Sequence, residues 1–446
     1  MKSLNSVSVP PSLSNQWPVQ RLRFSIVSNP VRSEVNDLPE ETAVSFVPME
    51  AIGEQGEIDA SRERQLRDVY SGYTYFIEGD TLIAKITPCF ENGKGAVARG
   101  LINGIGFGTT EFHVLRCLPE MSEKWLYYLT TSHAFRELGS AEMLGAGGQK
   151  RVPENFIKNF RVAIPDFKDQ QKIAAYLDWK ADQIDALIAK KQALIELLKE
   201  KRLAVITQAV TKGLDSDVPL RDSGIPWLGG LPAHWEVKRL RFTCARIEQG
   251  WSPQCESQVA DEDSWGVMKV GCVNGDTFNA SENKALPLDL EPVIEYRLFP
   301  NDILISRANT KELLGSAALV PADVPPKLLL CDKLFRLRPM TGVDEKFLTY
   351  YLRTPSARFQ YEREATGASG SMQNIGQGTI KDLVVCLPPI QEQQRIAEYV
   401  CANSAKLDTH AQILQAAIVR LTEYRAILIT EAITGKLDMN SIDIPS

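Results

Sequence analysis

Apolar side chains recur at every seventh position in two segments that contain no proline, 166–218 and 390–444. This spacing places them along one stripe of an α-helix, as in the seam of a coiled coil. It predicts two long helices that bury their stripes against each other or against partner proteins. The predicted seam residues are Leu177, Ile184, Leu198 and Val205, with Lys191 in register, and Val400, Leu407, Leu414, Leu421 and Leu428.

The chain is a tandem repeat. Residues 170–176 read Gln-Gln-x-Ile-Ala-x-Tyr, and the same motif returns at 393–399, an offset of 223 (393 − 170) in a chain of 446 residues. Upstream, 17–24 and 235–242 share Trp-x-Val-x-Arg-Leu-Arg-Phe. Because a fixed-period repeat marks a repeated structural unit, each half is predicted to be one module followed by one long helix.

Inside each module, short β-rich runs are bounded by Gly, Pro and Asn, which predicts small mixed sheets. One amphipathic helix per module is predicted at 123–138 and at 345–363. The predicted fold class is α+β. It consists of two small mixed α/β modules separated by two long antiparallel coiled-coil helices, related by a pseudo-twofold axis.

The repeat and the Pro/Gly-rich stretch between its halves suggest domain boundaries. We expect a first module at 1–165, a first helix at 166–214, a linker at 215–232, a second module at 233–388, a second helix at 389–438 and a tail at 439–446.

The chain carries 50 Lys and Arg against 56 Asp and Glu, a formal net charge of −6. This balance argues against a free-standing polybasic nucleic-acid binder. The eight cysteines and four histidines are scattered without a Cys-x-x-Cys pair, so we expect no disulfide, metal site or cofactor. A polar N-terminus and the lack of a long apolar run favour a cytoplasmic protein without a membrane span.

Motifs for catalysis are missing from the sequence. An adenine methyltransferase that flips its base needs an Asn/Asp-Pro-Pro-aromatic loop, and the Pro-Pro pairs at 10–11, 325–326 and 388–389 lack both the amide and the aromatic residue. The sequence also lacks the Gly-x4-Gly-Lys-Ser/Thr motif of ATPases. We therefore expect a chain without catalytic residues.

Two similar modules held apart by rigid helices suit a linear target with two separated parts, and duplex DNA has this fixed geometry. Base edges are read by Arg, Lys, Asn and Gln, and phosphates are held by Lys, Arg, Ser and Thr. Such residues form candidate DNA-contact clusters at corresponding loops, with Lys85 aligned to Arg307 and Gln149 to Ser371 at an offset of 222. The candidates are Lys85, Thr87, Asn92, Lys94, Gln149, Lys150 and Arg151 in the first module, and Arg307, Asn309, Lys311, Ser371, Gln373 and Asn374 in the second.

Residues 223–235 read Ser-Gly-Ile-Pro-Trp-Leu-Gly-x-x-Pro-x-x-Trp. With the Gln-Gln-x-Ile-Ala-x-Tyr helix starts and the Thr-x-x-Leu-Asp ends at 211–215 and 434–438, this segment resembles the specificity subunits of type I restriction–modification systems. The resemblance covers nearly the whole chain, and residues 90–112 resemble one common subtype of recognition domain. The first half departs from the family in lacking a full Gly-Ile-Pro-Trp-Leu lead.

The resemblance implies two target-recognition domains, each reading one half of a split sequence in double-stranded DNA. It also implies that the helices bind methyltransferase subunits, expected as two, and through them the restriction/translocase subunits.

Two alternatives remain open from the sequence. A coiled-coil scaffold for proteins would leave the duplicated modules unexplained. A stand-alone metal-dependent nuclease would use Asp302 with the carboxylates and Lys of 344–346. The equivalent first-half positions, Asp80 and 122–124, repeat this set only in part.

Overall fold

The computed structural model of the chain describes residues 17–145, 148–255, 257–275, 277–367 and 372–437. The predicted tail at 439–446 lies outside these ranges. Residue contacts divide the chain into two compact units. Unit 1 comprises Met1–Gln192 and Gln415–Ser446, and unit 2 comprises Ala193–Leu414.

The first module, in unit 1, is built from short strands. They form two four-stranded sheets, ordered β2-β9-β6-β7 and β4-β3-β8-β5, and one two-stranded pair, β1-β10. In chain order the strands are β1 (Val19–Arg21), β2 (Ile26–Ser28), β3 (Ala43–Val47), β4 (Glu63–Gln65), β5 (Thr74–Ile77), β6 (Thr81–Ala84), β7 (Gly95–Val97), β8 (Ile105–Gly108), β9 (Phe112–Cys117) and β10 (Arg161–Ala163).

The pairing in these sheets is antiparallel except between β3 and β8, which run parallel. Strands β6 and β8 are buried along their whole length, as expected for strands covered on both faces. Gly106 in β8 leaves room for the ring of Phe76, which would lie 2.1 Å from a Cβ atom at that position.

Four helices of the first module are α1 (Leu66–Val69), α2 (Glu123–Thr131), α3 (His133–Ala141) and α4 (Glu154–Asn159). The predicted single helix at 123–138 is therefore wrong: two helices meet at Ser132. The Ser132 backbone is extended, and its hydroxyl accepts a hydrogen bond from the Phe135 amide, which makes it the N-cap of α3.

The long helix α5 follows (Phe167–Lys212), with 46 residues. The segment after it was expected to be a linker. It contains a two-stranded antiparallel pair, β11 (Leu220–Asp222) and β12 (Gly230–Pro232).

The second module repeats the architecture of the first. Its strands are β13 (Glu236–Arg239), β14 (Cys244–Gln249), β15 (Gly266–Met268), β16 (Asn283–Ala285), β17 (Ile303–Ser306), β18 (Ala308–Asn309), β19 (Ala317–Leu319), β20 (Leu328–Leu329), β21 (Leu334–Pro339), β22 (Gln373–Asn374) and β23 (Val384–Leu387). The sheet β14-β21-β17-β19 has the order of β2-β9-β6-β7, and β13-β23 matches β1-β10. The sheet β16-β15-β20 again contains one parallel pair, β15 with β20.

The helices of this half are α6 (Glu345–Leu352), α7 (Pro355–Glu364), α8 (Gln377–Asp382) and the long α9 (Ile390–Ile433), with 44 residues. The predicted helix at 345–363 is again two helices. The Thr354 side chain caps α7, and Pro355 stands at its first position, where the missing N–H costs nothing.

In each unit, the two long helices run antiparallel. In unit 1, the beginning of α5 packs with the end of α9 in one core that includes Ile184 and Leu428, and Asp185 lies 3.5 Å from Arg425. In unit 2, the end of α5 and the beginning of α9 share a core, and Arg202 lies 3.7 Å from Asp408. These two ion pairs are repeat equivalents, because Asp408 and Arg425 follow Asp185 and Arg202 by 223 positions.

Five of the predicted seam residues belong to these cores or pack against them: Leu177, Ile184, Val400, Leu421 and Leu428. Leu177, Ile184, Val400 and Leu428 are buried, whereas Leu198, Val205, Leu407, Leu414 and Leu421 are half-buried. The predicted α+β fold class and tandem repeat are confirmed. Within the described ranges, none of the helices is long and apolar enough to cross a membrane.

A buried glutamine joins each long helix to its module. The Gln170 amide oxygen accepts from the Ser122 amide at 2.8 Å, and its nitrogen donates to the carbonyls of Glu120 and Pro165 at 3.0 and 2.9 Å. Gln393 makes the same three bonds, to the Asp344 amide and to two carbonyls. Only an amide can accept and donate at one site in this way.

We predict that Gln170→Leu destabilises the chain by about 2–5 kcal/mol, because it leaves buried backbone groups without partners. Gln171→Leu is the matched control, since Gln171 is exposed next to it. Urea unfolding followed by tryptophan fluorescence measures both. Equal midpoints for the two variants would contradict the role given to Gln170.

Candidate nucleic-acid interface

The loop at 144–151, here called the first glycine loop, contains the candidates Gln149, Lys150 and Arg151, and Lys85 and Thr87 are hydrogen-bonded next to it. Its ends pair antiparallel, Leu144 with Arg151, and Arg151 also pairs with Ile86. The Thr87 amide donates to the Lys150 carbonyl at 3.0 Å, and the Thr87 hydroxyl donates to the Gly148 carbonyl at 2.6 Å. Thr87 therefore positions the loop. The side chains of Gln149 and Lys150 are exposed beside it, and residues 146–147 lie outside the described ranges.

The Arg151 guanidinium forms a two-pronged ion pair with Glu111. Its Nε and Nη2 donate to the carboxylate at 2.9 and 2.8 Å. The hydrogen bond from Arg151 lowers the pKa of Glu111, and the reverse interaction raises the pKa of Arg151. Arg151 thus fixes the base of the loop. The positive charge of Lys85 also lies close enough to Glu111 to lower its pKa.

Two other candidates lie in the turn between β6 and β7. The Asn92 amide donates to Glu54 at 3.0 Å, and the Lys94 ammonium lies 3.4 Å from the Met49 carbonyl. The backbone connects this turn to the cluster, because the Ala84 amide donates to the Lys94 carbonyl. Asn92 is exposed and Lys94 half-buried.

Below the first glycine loop lies a buried histidine that was not considered from the sequence. His113 is 5 % exposed, and its Nε2 lies 2.9 Å from the Val152 carbonyl. Burial lowers the pKa of His113. A neutral ring with the proton on Nε2 can donate to that carbonyl, so His113 supports the backbone under the loop.

The loop at 366–374, here the second glycine loop, has the same backbone connections. Asn374 pairs with both Thr366 and Ala308, as Arg151 pairs with Leu144 and Ile86. The Ile375 amide donates to the Arg307 carbonyl at 2.9 Å, as the Val152 amide does to that of Lys85 at 2.8 Å. The two clusters therefore occupy equivalent places in the two modules.

The structure corrects one sequence pairing. A Cβ on Gly145 would meet the Gln149 carbonyl, and one on Gly367 would meet that of Met372. Gln149 therefore corresponds to Met372 and not to Ser371, because the second loop is one residue longer. Ser371 itself lies outside the described residues.

The second-module candidates differ in exposure. Asn309 is 5 % exposed: its Nδ2 donates to Asn274 at 2.8 Å and its Oδ1 accepts from the Thr310 amide. Arg307 is half-buried, with Nη1 3.3 Å from the Asp332 carbonyl. Lys311 is exposed, and Gln373 and Asn374 are half-buried.

Sequence reasoning missed Lys333. Its carbonyl accepts from the Arg307 amide at 2.8 Å, as the Glu111 carbonyl accepts from that of Lys85 at 2.9 Å. Lys333 thus takes the place of Glu111, and Asn374 takes that of Arg151. The repeat offset of 222 residues, which aligns Glu111 with Lys333, could have identified Lys333 from the sequence. Where the first module has the Glu111–Arg151 ion pair, the second has Lys333 and Asn374. The backbone of Lys333 is bonded to that of Arg307, so two cationic residues are neighbours there.

Asp302, the carboxylate considered for a nuclease site, is buried and hydrogen-bonded within its own module. Asp302 is 2 % exposed, accepts from Arg338 Nε at 2.7 Å and accepts from the Phe299 amide at 2.9 Å. Asp80 makes the same bonds to Arg116 and to the Ile77 amide. Groups of three or more potential metal-ligating side chains are not found among the described residues.

The long helices also expose apolar side chains in each unit. In unit 1 these are Leu187, Val419, Tyr424 and Ile427, and in unit 2 they are Leu194, Leu197, Leu203 and Ile413. Their exposed fractions run from 43 to 61 %. Exposed apolar side chains, where they lie together, are typical of protein–protein contacts.

A duplicated α+β chain with equivalent but chemically different loops defines a two-part recognition protein. The family described as the type I restriction modification DNA specificity domain matches residues 73–197 and 263–417, and the chain belongs to this family. It is a type I restriction–modification DNA specificity subunit, so neither the scaffold nor the nuclease alternative is supported.

The chain is similar to specificity subunits of type I restriction enzymes from Escherichia coli. The chain is 27 % identical to the EcoEI specificity subunit, over 87 % of this chain and 77 % of the relative. It is 40 % identical to the EcoAI specificity subunit over 37 % of this chain and 28 % of the relative. With the EcoKI specificity subunit of strain K12, 25 % identity extends over 73 % and 68 %.

Solved structures share the fold. A chain from a study of complex assembly and conformational transition of the type I R-M system has a TM-score of 0.75 at 18 % identity, covering 96 % of this chain and all of that one. The HsdS subunit from Thermoanaerobacter tengcongensis has a TM-score of 0.54 at 18 % identity, covering 97 % and 99 %.

We predict that the first glycine loop loosens in acid. Because the folded pKa of Glu111 is depressed, the ion pair stabilises the loop above the unfolded pKa of about 4.3 and this contribution is lost as pH falls through the folded value. Hydrogen-exchange protection of the Leu144 and Arg151 amides should fall by up to about fivefold, the size expected for a partly exposed ion pair.

Two controls accompany this measurement. Glu111→Gln should abolish the pH dependence, and the Thr366 and Asn374 amides should show none, because Lys333 stands in place of Glu111. A loss of protection shared equally by both loops would refute the assignment.

Proposed function

We propose that each module reads one half of a bipartite site in double-stranded DNA, the first through residues 1–165 and the second through 233–388. The observation that carries this proposal is the pairing of the two clusters. Their backbones are connected alike, yet their side chains differ at six paired positions: Lys85/Arg307, Thr87/Asn309, Glu111/Lys333, Gln149/Met372, Lys150/Gln373 and Arg151/Asn374.

The side chains that remain exposed or half-buried in the clusters have the chemistry of base and phosphate recognition. In the first module, Gln149 suits an adenine edge, and Lys85 and Lys150 suit guanine or phosphate. In the second, Gln373 suits adenine, and Arg307 and Lys311 suit guanine or phosphate. Thr87, Arg151 and Asn309 act by holding the loops, since their polar atoms are already bonded within the module.

We propose that the chain contributes no catalytic group and requires no cofactor or metal. Methyl transfer, ATP-driven translocation and cleavage then belong to partner subunits, consistent with the missing methyltransferase and ATPase motifs. The complex would act in the cytoplasm. Asp302, the carboxylate that a nuclease would need, is taken up by Arg338.

We further propose that the exposed apolar side chains of α5 and α9 dock methyltransferase subunits, one on each unit, and through them the restriction/translocase subunits. The repeat supports two copies, because a duplicated surface offers the same kind of partner two similar sites. Half-exposed Leu, Ile and Tyr side chains on helices whose opposite stripe is buried support a helical partner.

We expect that exchanging residues 233–388 for the second module of another family member changes one half of the methylated sequence and leaves the other half intact. Methylated adenines are mapped in a host that carries the exchanged chain and its partners. Exchange of residues 1–165 is the matched control and should alter the opposite half. A change in both halves, or in neither, from a single exchange would rule out independent reading.

The helix surfaces give a second test in unit 1. Leu421 is half-buried against the core, whereas Ile427 is 55 % exposed. Leu421→Asp should lower stability by about 2 kcal/mol, because a charge enters an apolar contact. Ile427→Asp should leave urea unfolding unchanged but prevent co-purification with the methyltransferase. Retained co-purification of a folded Ile427→Asp chain would argue against docking on this face.

A further inference from the structure

A cavity of about 230 Å³ in unit 2 has a cationic polar lining. Lys346 and Tyr350 of α6 and Arg353 at its C-terminal end line it, and Cys401 of α9 lies on the same wall. Phe278 and Leu319 contribute apolar surface. Burial raises the pKa of Tyr350, and the nearby Cys401 thiol adds to this effect.

The equivalent place in unit 1 contains a carboxylate. Asp178 accepts from the Lys124 ammonium, and its Oδ1 accepts from the Tyr128 hydroxyl at 2.7 Å. Lys124 and Tyr128 correspond to Lys346 and Tyr350 at an offset of 222.

Asp178 corresponds to Cys401 at 223, and Thr131 corresponds to Arg353 at 222. Unit 2 therefore keeps the two groups that hold the carboxylate in unit 1 and adds a guanidinium. It has a thiol where the carboxylate would stand.

The added cation is not neutralised within the described part of the chain. Arg353 Nε donates to the Ala317 carbonyl at 2.8 Å, and no described carboxylate forms an ion pair with Arg353 or Lys346. Burial lowers the pKa of Arg353 to about 10; Tyr350 opposes this effect, and Arg202 adds a smaller contribution in the same direction as burial. A half-buried guanidinium without an ion-pair partner is stabilised by a bound anion, because the anion compensates for the hydration that burial removes.

We propose that this cavity binds one carboxylate group from outside the chain, held by Lys346, Tyr350 and Arg353 in the place that Asp178 fills in unit 1. Two sources share this chemistry: a free dicarboxylate, and an Asp or Glu side chain of a partner subunit. The second source rests on the proposed function, whereas the first does not.

Succinate is the probe, with sodium chloride at equal ionic strength as its control. Hydrogen exchange of residues 345–353 is measured in the full chain. Succinate should slow exchange by about threefold at twice its Kd in the native protein and in Cys401→Ser. The response should be absent in Arg353→Thr, which installs the unit 1 residue, and in Cys401→Asp, which supplies an internal carboxylate. Cys401→Asp should also slow exchange without succinate.

A partner arm distinguishes the sources. If the carboxylate belongs to the methyltransferase, Cys401→Asp and Arg353→Thr should each weaken its binding by about tenfold or more. If the ligand is free, methyltransferase binding stays unchanged while the succinate response persists. Failure of modular DNA reading would leave the succinate response unaffected, so the two proposals fail separately.

Asp276 needs its own control, because it lies outside the described residues and precedes Thr277 of the cavity wall. A succinate response seen only in Asp276→Asn would overturn the proposal, since the chain would then supply its own carboxylate. The proposal is also overturned if succinate acts no more than sodium chloride and neither Cys401→Asp nor Arg353→Thr changes methyltransferase binding.

Discussion

The buried amides of Gln170 and Gln393 join the modules to the helices on which the rest of the structure depends. Each amide accepts from the backbone at the start of a module helix and donates to two carbonyls, one of them just before the long helix begins. A carboxylate at this position could only accept, and an apolar side chain would leave buried backbone groups unpaired. These bonds tie the first turn of each long helix to the backbone of its module.

The duplication separates positions that are the same in both halves from positions that differ between them. The buried Asp80–Arg116 and Asp302–Arg338 pairs are the same in both halves and hold the turn before a central strand. In the glycine loops the backbone pairing is the same, but the side chains are not. The backbone pairing is kept although its side-chain support differs, because Thr87 and the Arg151–Glu111 ion pair hold the first loop and neither is present in the second.

The two units have also diverged away from the loops. Asp178 neutralises its lysine within unit 1, whereas Cys401 leaves a lysine and an arginine exposed to a cavity in unit 2. A similar reversal occurs where Lys333 replaces Glu111. A fold repeated twice thus presents two different charge patterns on one set of backbone positions.

The sequence by itself determined the repeat, the two long helices and the family. Each depends on local periodicity or on motifs kept at a fixed offset, and a seven-residue apolar spacing needs no distant contact to be recognised. The repeat offset also aligned Lys85 with Arg307, and the equivalent backbone hydrogen bonds of these two residues in their modules agree with this alignment. The sequence did not determine which candidate side chains are available to contact DNA.

Only the tertiary structure decided which candidate side chains are free. Arg151 is held by Glu111, forty residues away in sequence, and Asn309 is buried against Asn274. The breaks at Ser132 and Thr354 come from side-chain caps that begin a second helix, and only the break at Thr354 has a local signal in the sequence, Pro355. Hydrogen bonds between residues distant in the chain leave no periodic trace in sequence, and these bonds decide which loop residues face solvent and which hold the loop in place.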